Sequence, residues 1–309
     1  MSATTRRIGF LGPRGTFTEQ ALRSQPDLAG DELVPMRTFV DVLRATQNGE
    51  VDLGFVAIEN AIEGTVNVTL DTLAFDTNLL IQREVVLDIE MNLMARPGTA
   101  LEDITVVSSH PVANAQCRQF LQTKLPDIEI VPANSTAEAA QQAADRPGAA
   151  ALGPAIAGET YGLEIIAADV ADLTQNQTRF ILVAPLGVPS PTGHDKSSIV
   201  LTARGDRPGS LVAILHEFSA RNINLSKLTS RPARTTLGNY CFIIDINGHI
   251  AEEVVANCLR NVRAKHADVK FLGSYPAAGI SAAETRAEAS EAWVEASIWV
   301  QSLQDQIDS

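Results

Sequence analysis

Paired cysteines, a basic surface and long apolar runs are all missing from this chain. Its three cysteines, Cys117, Cys241 and Cys258, lie far apart, form no CxxC pair and leave an odd count. That excludes a disulfide framework and fits reduced thiols in a cytoplasmic protein. Lysine and arginine number 24 against 37 acidic residues, giving a formal net charge of -13 and a pI near 4.8. Nothing basic is large enough to neutralise a run of phosphates, so nucleic acid is not an expected partner. No apolar run reaches membrane-spanning length, and Met1 to Arg7 leads straight into a strand without a signal-peptide segment. There is no HExxH, no P-loop, no DNA-binding helix pair and no internal repeat, so no metal or nucleotide cofactor is expected.

What is present is enough apolar material, 45% of 309 residues, for two domains with real cores. Up to Val183 the chain alternates strand and helix. Ile8–Leu11, Leu53–Ile58, Ile104–Ser108, Ile128–Val131, Ala149–Leu152 and Glu164–Ala168 read as strands. Capping boxes at Thr16–Glu19 and Ser135–Glu138 open helices, and Thr38–Asn48 is a third, stopped by Gly49. Leu79–Met94 carries two extended segments that cross into a second lobe. The pattern predicts a mostly parallel α/β domain of two lobes with polar loops facing a cleft. Leu186–Lys196, with Gly187, Pro189, Ser190, Pro191 and Gly193, has linker composition. Beyond it, strand 198–203, helix 211–220, strand 224–228, a Gly238–Asn239 turn, strand 240–246, helix 251–265 and strand 269–273 spell the ferredoxin-like βαββαβ unit. Ala277–Ser309 reads as a terminal helix with Ala292, Ala296, Trp299, Leu303 and Ile307 on one face.

Several polar stretches sit where open α/β sheets hold ligands. Asn176-Gln177-Thr178-Arg179-Phe180 is a polar loop turning into a buried strand. It either presents a hydroxyl and a guanidinium at a strand mouth or is an ordinary strand start with Arg179 paired on the surface. Glu59-Asn60 to Thr65 follows a central strand, as helix-capping residues or as ligand contacts. Gly12-Pro13-Arg14-Gly15 before Thr16 is a βα turn whose free N–H groups face an anion or nothing at all. His110 near Cys117 reads as a thiol nucleophile pair or as the start of a helix at Pro111.

Taken together and in order, these stretches resemble the prephenate dehydratase family. The likeness rests on Gly12 to Ala21, on Ile58-Glu59-Asn60-Ala61-Ile62-Glu63-Gly64, and on Ser109-His110-Pro111 with Ala115-Gln116-Cys117. It continues through Thr136-Ala137-Glu138-Ala139-Ala140 and Asn176 to Phe180. It implies a two-lobed, periplasmic-binding-protein-like catalytic domain over 6–185, a linker at 186–197, an ACT regulatory domain over 198–275 and a tail over 276–309. The reaction expels CO2 and hydroxide from opposite ring carbons of prephenate and is driven by aromatisation, so it needs no cofactor. The resemblance assigns catalysis to Thr178, Asn60, Ser109 and Gln116, and substrate contacts to Thr16, Glu59, His110, Arg179 and Phe180. A threonine hydroxyl is too weak an acid for efficient general acid catalysis, so Thr178 is expected as a positioned donor to the departing oxygen. Arg179 and the helix starts at Thr16 and Ser135 are the candidates for gripping carboxylates.

The second domain resembles an ACT module through Gly209-Ser210-Leu211-Val212, Asn222-Ile223-Asn224-Leu225 and Thr229-Ser230-Arg231-Pro232. This implies phenylalanine as effector, held by Gly209, Ser210, Leu211, Val212, Asn224, Leu225, Thr229 and Ser230, in a homodimer or homotetramer. Three positions depart from the family pattern: Thr229 stands for Glu, Ser210 for Ala and Val112 for Gln. Arogenate, the aminated substrate, is an alternative, and a ligand sensor built on the same two-lobed plan is another.

Overall fold

The computed structural model describes residues 5–173, 175–204, 207–234, 240–278 and 298–306. The contacts divide the chain into two compact units, residues 1–72 with 85–183 and residues 73–84 with 184–309.

The first unit opens with β1 (Arg7–Leu11), α1 (Phe17–Arg23), β2 (Glu32–Met36), α2 (Phe39–Gln47) and β3 (Leu53–Asn60). Each helix starts where a threonine caps it: Thr16 Oγ accepts from Glu19 N at 3.3 Å and Thr38 Oγ from Asp41 N at 3.0 Å. β1 pairs in parallel with both β2 and β3. A short β4 (Gly64–Thr65) and α3 (Asn67–Asp71) follow. The nine-residue β5 (Leu80–Asp88) then straddles the division, its first five residues in the second unit and its last four in the first.

The second lobe of this unit is built from β6 (Asn92–Ala95), β7 (Val106–Ser109), α4 (Pro111–Gln116), α5 (Arg118–Lys124) and β8 (Glu129–Pro132). It continues through α6 (Thr136–Asp145), β9 (Ala149–Gly153), α7 (Ala155–Tyr161) and β10 (Glu164–Ala167) before β11 (Gln177–Ala184) returns to the first sheet. The two sheets run in the orders β2-β1-β3-β11-β5 and β10-β6-β9-β7-β8. Ile8, Phe10, Leu22, Phe55 and Phe180 form the core of the first lobe. The second sheet is covered on both faces. Leu93, Val107, Cys117 and Leu152 pack on one side, and Met94, Ala139, Ala140 and Ala151 on the other. The alanines of α6 let that helix lie close against β9. Two hydrogen bonds, Ile89 N to Asn176 O and Val170 N to Met91 O, both 2.7 Å, tie the two segments that cross between the lobes.

The second unit contains β12 (Asp195–Ala203), α8 (Ser210–Ser219), β13 (Leu225–Pro232), β14 (Tyr240–Asn247), α9 (Glu253–Lys265) and β15 (Ala267–Pro276). The sheet order β13-β14-β12-β15 is that of a ferredoxin-like unit. Ile199, Leu201, Ile244, Ile246, Phe218 and Val262 fill the space under its two helices. Leu73–Glu84 also belongs to this unit, and it is pinned there. Lys270 Nζ donates to the carbonyls of Leu73, Ala74 and Thr77 at 2.8, 2.9 and 2.5 Å. Lys196 pairs with the fully buried Glu84 at 2.8 Å. Gly273, at φ +134, lies so close that a Cβ would stand 2.6 Å from the Ile81 carbonyl oxygen.

The structure differs from the sequence reading at a few places. β2 carries Pro35 in its interior, which argues against a strand, yet it survives at the sheet edge where the missing N–H has no partner to serve. β12 begins at Asp195, and β15 runs from Ala267 to Pro276. The expected Gly238–Asn239 turn, and Ala292, Ala296 and Ile307 of the tail, lie outside the described residues. Residues 298–304 are helical, with Trp299 and Leu303 exposed.

Candidate active site in the interlobe cleft

A cavity of about 310 Å3 opens in the first unit, with Thr16, Asn60 and Thr178 contributed by one lobe and His110, Gln116 and Ser135 by the other. At its centre is a chain of side chains whose directions can be assigned. Asn60 Oδ1 accepts the backbone N–H groups of Ile62 and Glu63 at 3.0 and 2.9 Å. A backbone N–H can only donate, so this fixes which end of the Asn60 amide is oxygen. The Nδ2 group therefore faces the other way. It donates to Thr178 Oγ and to Asn176 Oδ1, both at 2.8 Å. Asn176 Nδ2 donates in turn to Gln116 Oε1 at 3.2 Å. Thr178 Oγ thus accepts from Asn60, which leaves its own O–H available as a donor.

Strand geometry explains which neighbours join this group. Thr178 and Phe180 alternate onto one face of β11 and both line the cavity. The register opposite slips between Arg179 and Phe180, from Glu59 to Ala57. That irregularity carries Asn60 onto the same face as Ala57. Glu59 and Arg179 do not line the cavity. They pair with each other at 3.8 Å, with Arg179 largely buried. Ser109 is fully buried, its Oγ donating to Leu152 O at 2.8 Å, and it does not reach the cavity lining either. Phe180 stacks on Phe55 with ring centroids 5.4 Å apart.

Three helix starts converge on the space. Thr16 caps α1, where the buried Glu19 carboxylate reaches back to Gly15 N at 2.7 Å. Ser135 caps α6 through Glu138 N at 3.0 Å, and Glu138 returns a bond to Asn134 N at 2.9 Å. His110 caps α4, its Nδ1 accepting from Val112 N at 3.4 Å. In the neutral ring this leaves Nε2 protonated and a donor. Among the described residues no Lys or Arg lines the cavity, and the ionisable ones that do are Glu63 and His110. Positive potential for an anion there comes from N–H groups and helix dipoles. Asn176, Glu63 and Thr136 are lining residues that the sequence reading did not single out as site residues, although each stood inside a quoted motif; Asn176 lies one position before β11, which starts earlier than the apolar run suggested.

Cys117 is fully buried and its thiol is pushed up to about 12 by burial first, then by Asp172 and Asp169. It is no nucleophile at neutral pH. Among the described residues no group of three or more His, Cys, Asp or Glu is placed to hold a metal.

In the second unit, Gly209 (φ +89) precedes α8 and lines, with Ser210, a depression that also contains Arg204, Arg207, Lys265 and His266. Leu211 and Val212 continue the helix, with Val212 exposed. Asn224 precedes β13, Leu225 opens it opposite Ile246, and Thr229 and Ser230 lie opposite Ile243 and Phe242. β13 is a sheet edge, and none of these four residues lines the depression.

Residues 8–186 match the family model "Prephenate dehydratase" and residues 197–264 match "ACT domain". A prephenate dehydratase of Mycolicibacterium vanbaalenii is 43% identical over 303 residues, 93% of this chain and 97% of that one. The crystal structure of prephenate dehydratase from Arthrobacter aurescens in complex with L-Phe superposes with a TM-score of 0.85 at 39% identity, covering 97% and 99% of the two chains. GqqA, described as a quorum-quenching acylase, superposes at 0.78 with 27% identity over 88% of this chain and 98% of its own. With a catalytic model across more than half its length and relatives this close over nearly all of it, the chain belongs to the prephenate dehydratase family.

Proposed function

We propose that this chain is a prephenate dehydratase regulated by phenylalanine, with Thr178 as the hydrogen-bond donor to the departing hydroxyl. The observation that carries this is the fixed direction of the Asn60 amide. It occupies the Thr178 oxygen as an acceptor and so aims the hydroxyl proton elsewhere. In the reaction the bond from the ring to the carboxylate breaks and its electron pair enters the ring. The carboxylate departs as CO2, the ring electrons shift, and the C–O bond opposite breaks to release hydroxide, which takes its proton from solvent to become water. Negative charge develops on the leaving oxygen, where a preorganised donor is most effective. Gln116 and Asn176 hold Asn60 in place. The N–H groups at the starts of α1 and α6, with His110 Nε2, are the groups that receive carboxylates, since the lining offers no guanidinium.

An acyl-hydrolase reading fits less well, because Cys117 is buried and Thr178 is bonded to an amide rather than to a base. The test is initial rate with prephenate, followed by phenylpyruvate absorbance, with and without phenylalanine. Thr178→Ala should lower kcat by roughly 10²–10³ with KM little changed; unchanged kcat removes Thr178 from the mechanism. Turnover of arogenate alone would reassign the substrate, and turnover of neither would leave a sensor. A homodimer or homotetramer through the second unit is supported by the exposed Val212 and Leu228 beside the effector motifs, and light scattering checks it.

A further inference from the structure

Strand β5 has an unusual position in the chain. Residues 8–186 are catalytic-domain sequence, yet Leu73–Glu84 within them is packed into the regulatory unit. The attachments there are specific. One ammonium group, Lys270, serves three carbonyls at the turn before the strand, and burial depresses its pKa despite the opposing charge of Asp76. Arg234 bonds Asp76 at 3.1 Å and lies over the Phe75 ring at 4.7 Å. Gln82 Nε2 donates to Gly187 O at 2.8 Å. Glu84, its side chain without solvent exposure, accepts from both Lys196 Nζ and Ala278 N on one oxygen. The strand then continues unbroken, with no Gly or Pro, through Val85 to Asp88. At its far end Asp88 accepts from Gln177 Nε2 at 2.7 Å, and Ile89 N donates to Asn176 O at 2.7 Å. Asn176 and Gln177 are the two residues before Thr178, and the Asn176 side chain is bonded to Asn60 and Gln116.

We infer that Lys270 and Glu84 are positioning residues through which effector occupancy in the ACT unit reaches Asn60 and Thr178, with β5 as the connecting element. The inference rests on the proposed regulation by phenylalanine. The proposed route is the strand itself, anchored at one end by side chains of the regulatory sheet and hydrogen-bonded at the other to the backbone beside Thr178, so that a displacement of β12 or β15 is passed along it to the amide that sets the direction of the Thr178 hydroxyl. Neither Lys270 nor Glu84 touches the cleft, so altering them severs communication without removing catalytic groups.

The experiment uses the full chain with Lys270→Met and, separately, Glu84→Gln, and measures three quantities: kcat/KM for prephenate without effector, phenylalanine affinity by calorimetry, and the dependence of rate on phenylalanine. Both variants should keep basal kcat/KM and still bind phenylalanine, while the effector's influence on rate falls by roughly tenfold or more. A variant whose rate responds to phenylalanine as the wild type does overturns the inference and leaves the function intact. A wild type that turns over prephenate and ignores phenylalanine overturns the regulatory reading and the inference with it. Hydrogen exchange on the wild type needs no variant to fold: phenylalanine should change exchange in residues 73–89 and 176–178 together. A change confined to residues 195–276 would sink the proposal.

Discussion

The chemistry of the cleft turns on which way one amide points. Asn60 could be read from the sequence as a neighbour of Thr178 in function, because their motifs recur together in the family. Its orientation could not, since it depends on two backbone N–H groups in the turn after β3. Asn60→Asp tests that orientation. A carboxylate can satisfy Ile62 and Glu63 with one oxygen, but its other oxygen accepts where Nδ2 donated. The Thr178 proton is then drawn toward residue 60 and away from the substrate. The expected result is a fall in kcat of roughly 10²–10³ with a native melting profile, and retention of kcat would mean the hydroxyl does not act as donor. Glu59 and Arg179 were legible as polar residues next to these, but not the face they occupy, which the register slip decides. The thiols give a second test at this scale. Cys117, Cys241 and Cys258 are all fully buried, and burial pushes Cys258, like Cys117, up to about 12 despite the Arg221 charge. Native protein at mildly alkaline pH should show no reaction with a thiol reagent, and unfolded protein should release three equivalents. Fast labelling of the native state would contradict the buried placement.

Among the elements, the turn between β1 and α1 combines tight backbone with a contact across the cleft. Gly15 has φ +84, and a Cβ there would stand 3.2 Å from the Ala157 Cα and from Tyr161. The Tyr161 hydroxyl donates to Arg14 O at 3.0 Å, and burial with the Glu19 charge keeps that phenol above its usual range and therefore protonated. Gly15→Ala meets both a disfavoured conformation and a packed neighbour. It should cost about 1–3 kcal/mol of stability and raise KM as the lobes separate; a variant as stable as wild type would show that the turn relaxes freely. The regular elements were largely readable, because capping boxes and apolar periodicity act locally. β2 was not read, since Pro35 argues against a strand until its edge position is known. Nor was the break between α4 and α5 at Cys117, which no Gly or Pro marks.

For the molecule as a whole, two domains and their order could be read from composition and motif, but the path of the chain between them could not. Side-chain anchoring such as Lys270 on three carbonyls involves residues almost 200 positions apart, beyond any local pattern. Stability against acid is set partly in the second unit. Burial would raise Glu217, but hydrogen bonds from His266 and Arg221 outweigh it and hold the carboxyl below its usual range. A depressed carboxyl stabilises the fold above its unfolded pKa, about 4.3, and that contribution is lost as pH falls through the folded value. Glu217→Gln should therefore melt earlier than wild type at neutral pH, with the gap closing in increasingly acid buffer. A gap independent of pH would assign the effect to packing instead.

The placement of Leu73–Glu84 also limits how such proteins can be recombined. A cut in the Gly- and Pro-containing linker looks like a natural point at which to exchange one regulatory module for another. It would leave behind a strand still paired with β11 but stripped of its anchors, since the buried Glu84 side chain would lose Lys196 and the turn before it would lose Lys270, and it would hand the transplanted module nothing in place of residues 73–84. A working chimera needs two junctions, one in the linker and one near the midpoint of β5. Homologues that swap regulatory modules while keeping their own residues 73–84 should be poorly soluble, whatever the quality of their catalytic residues.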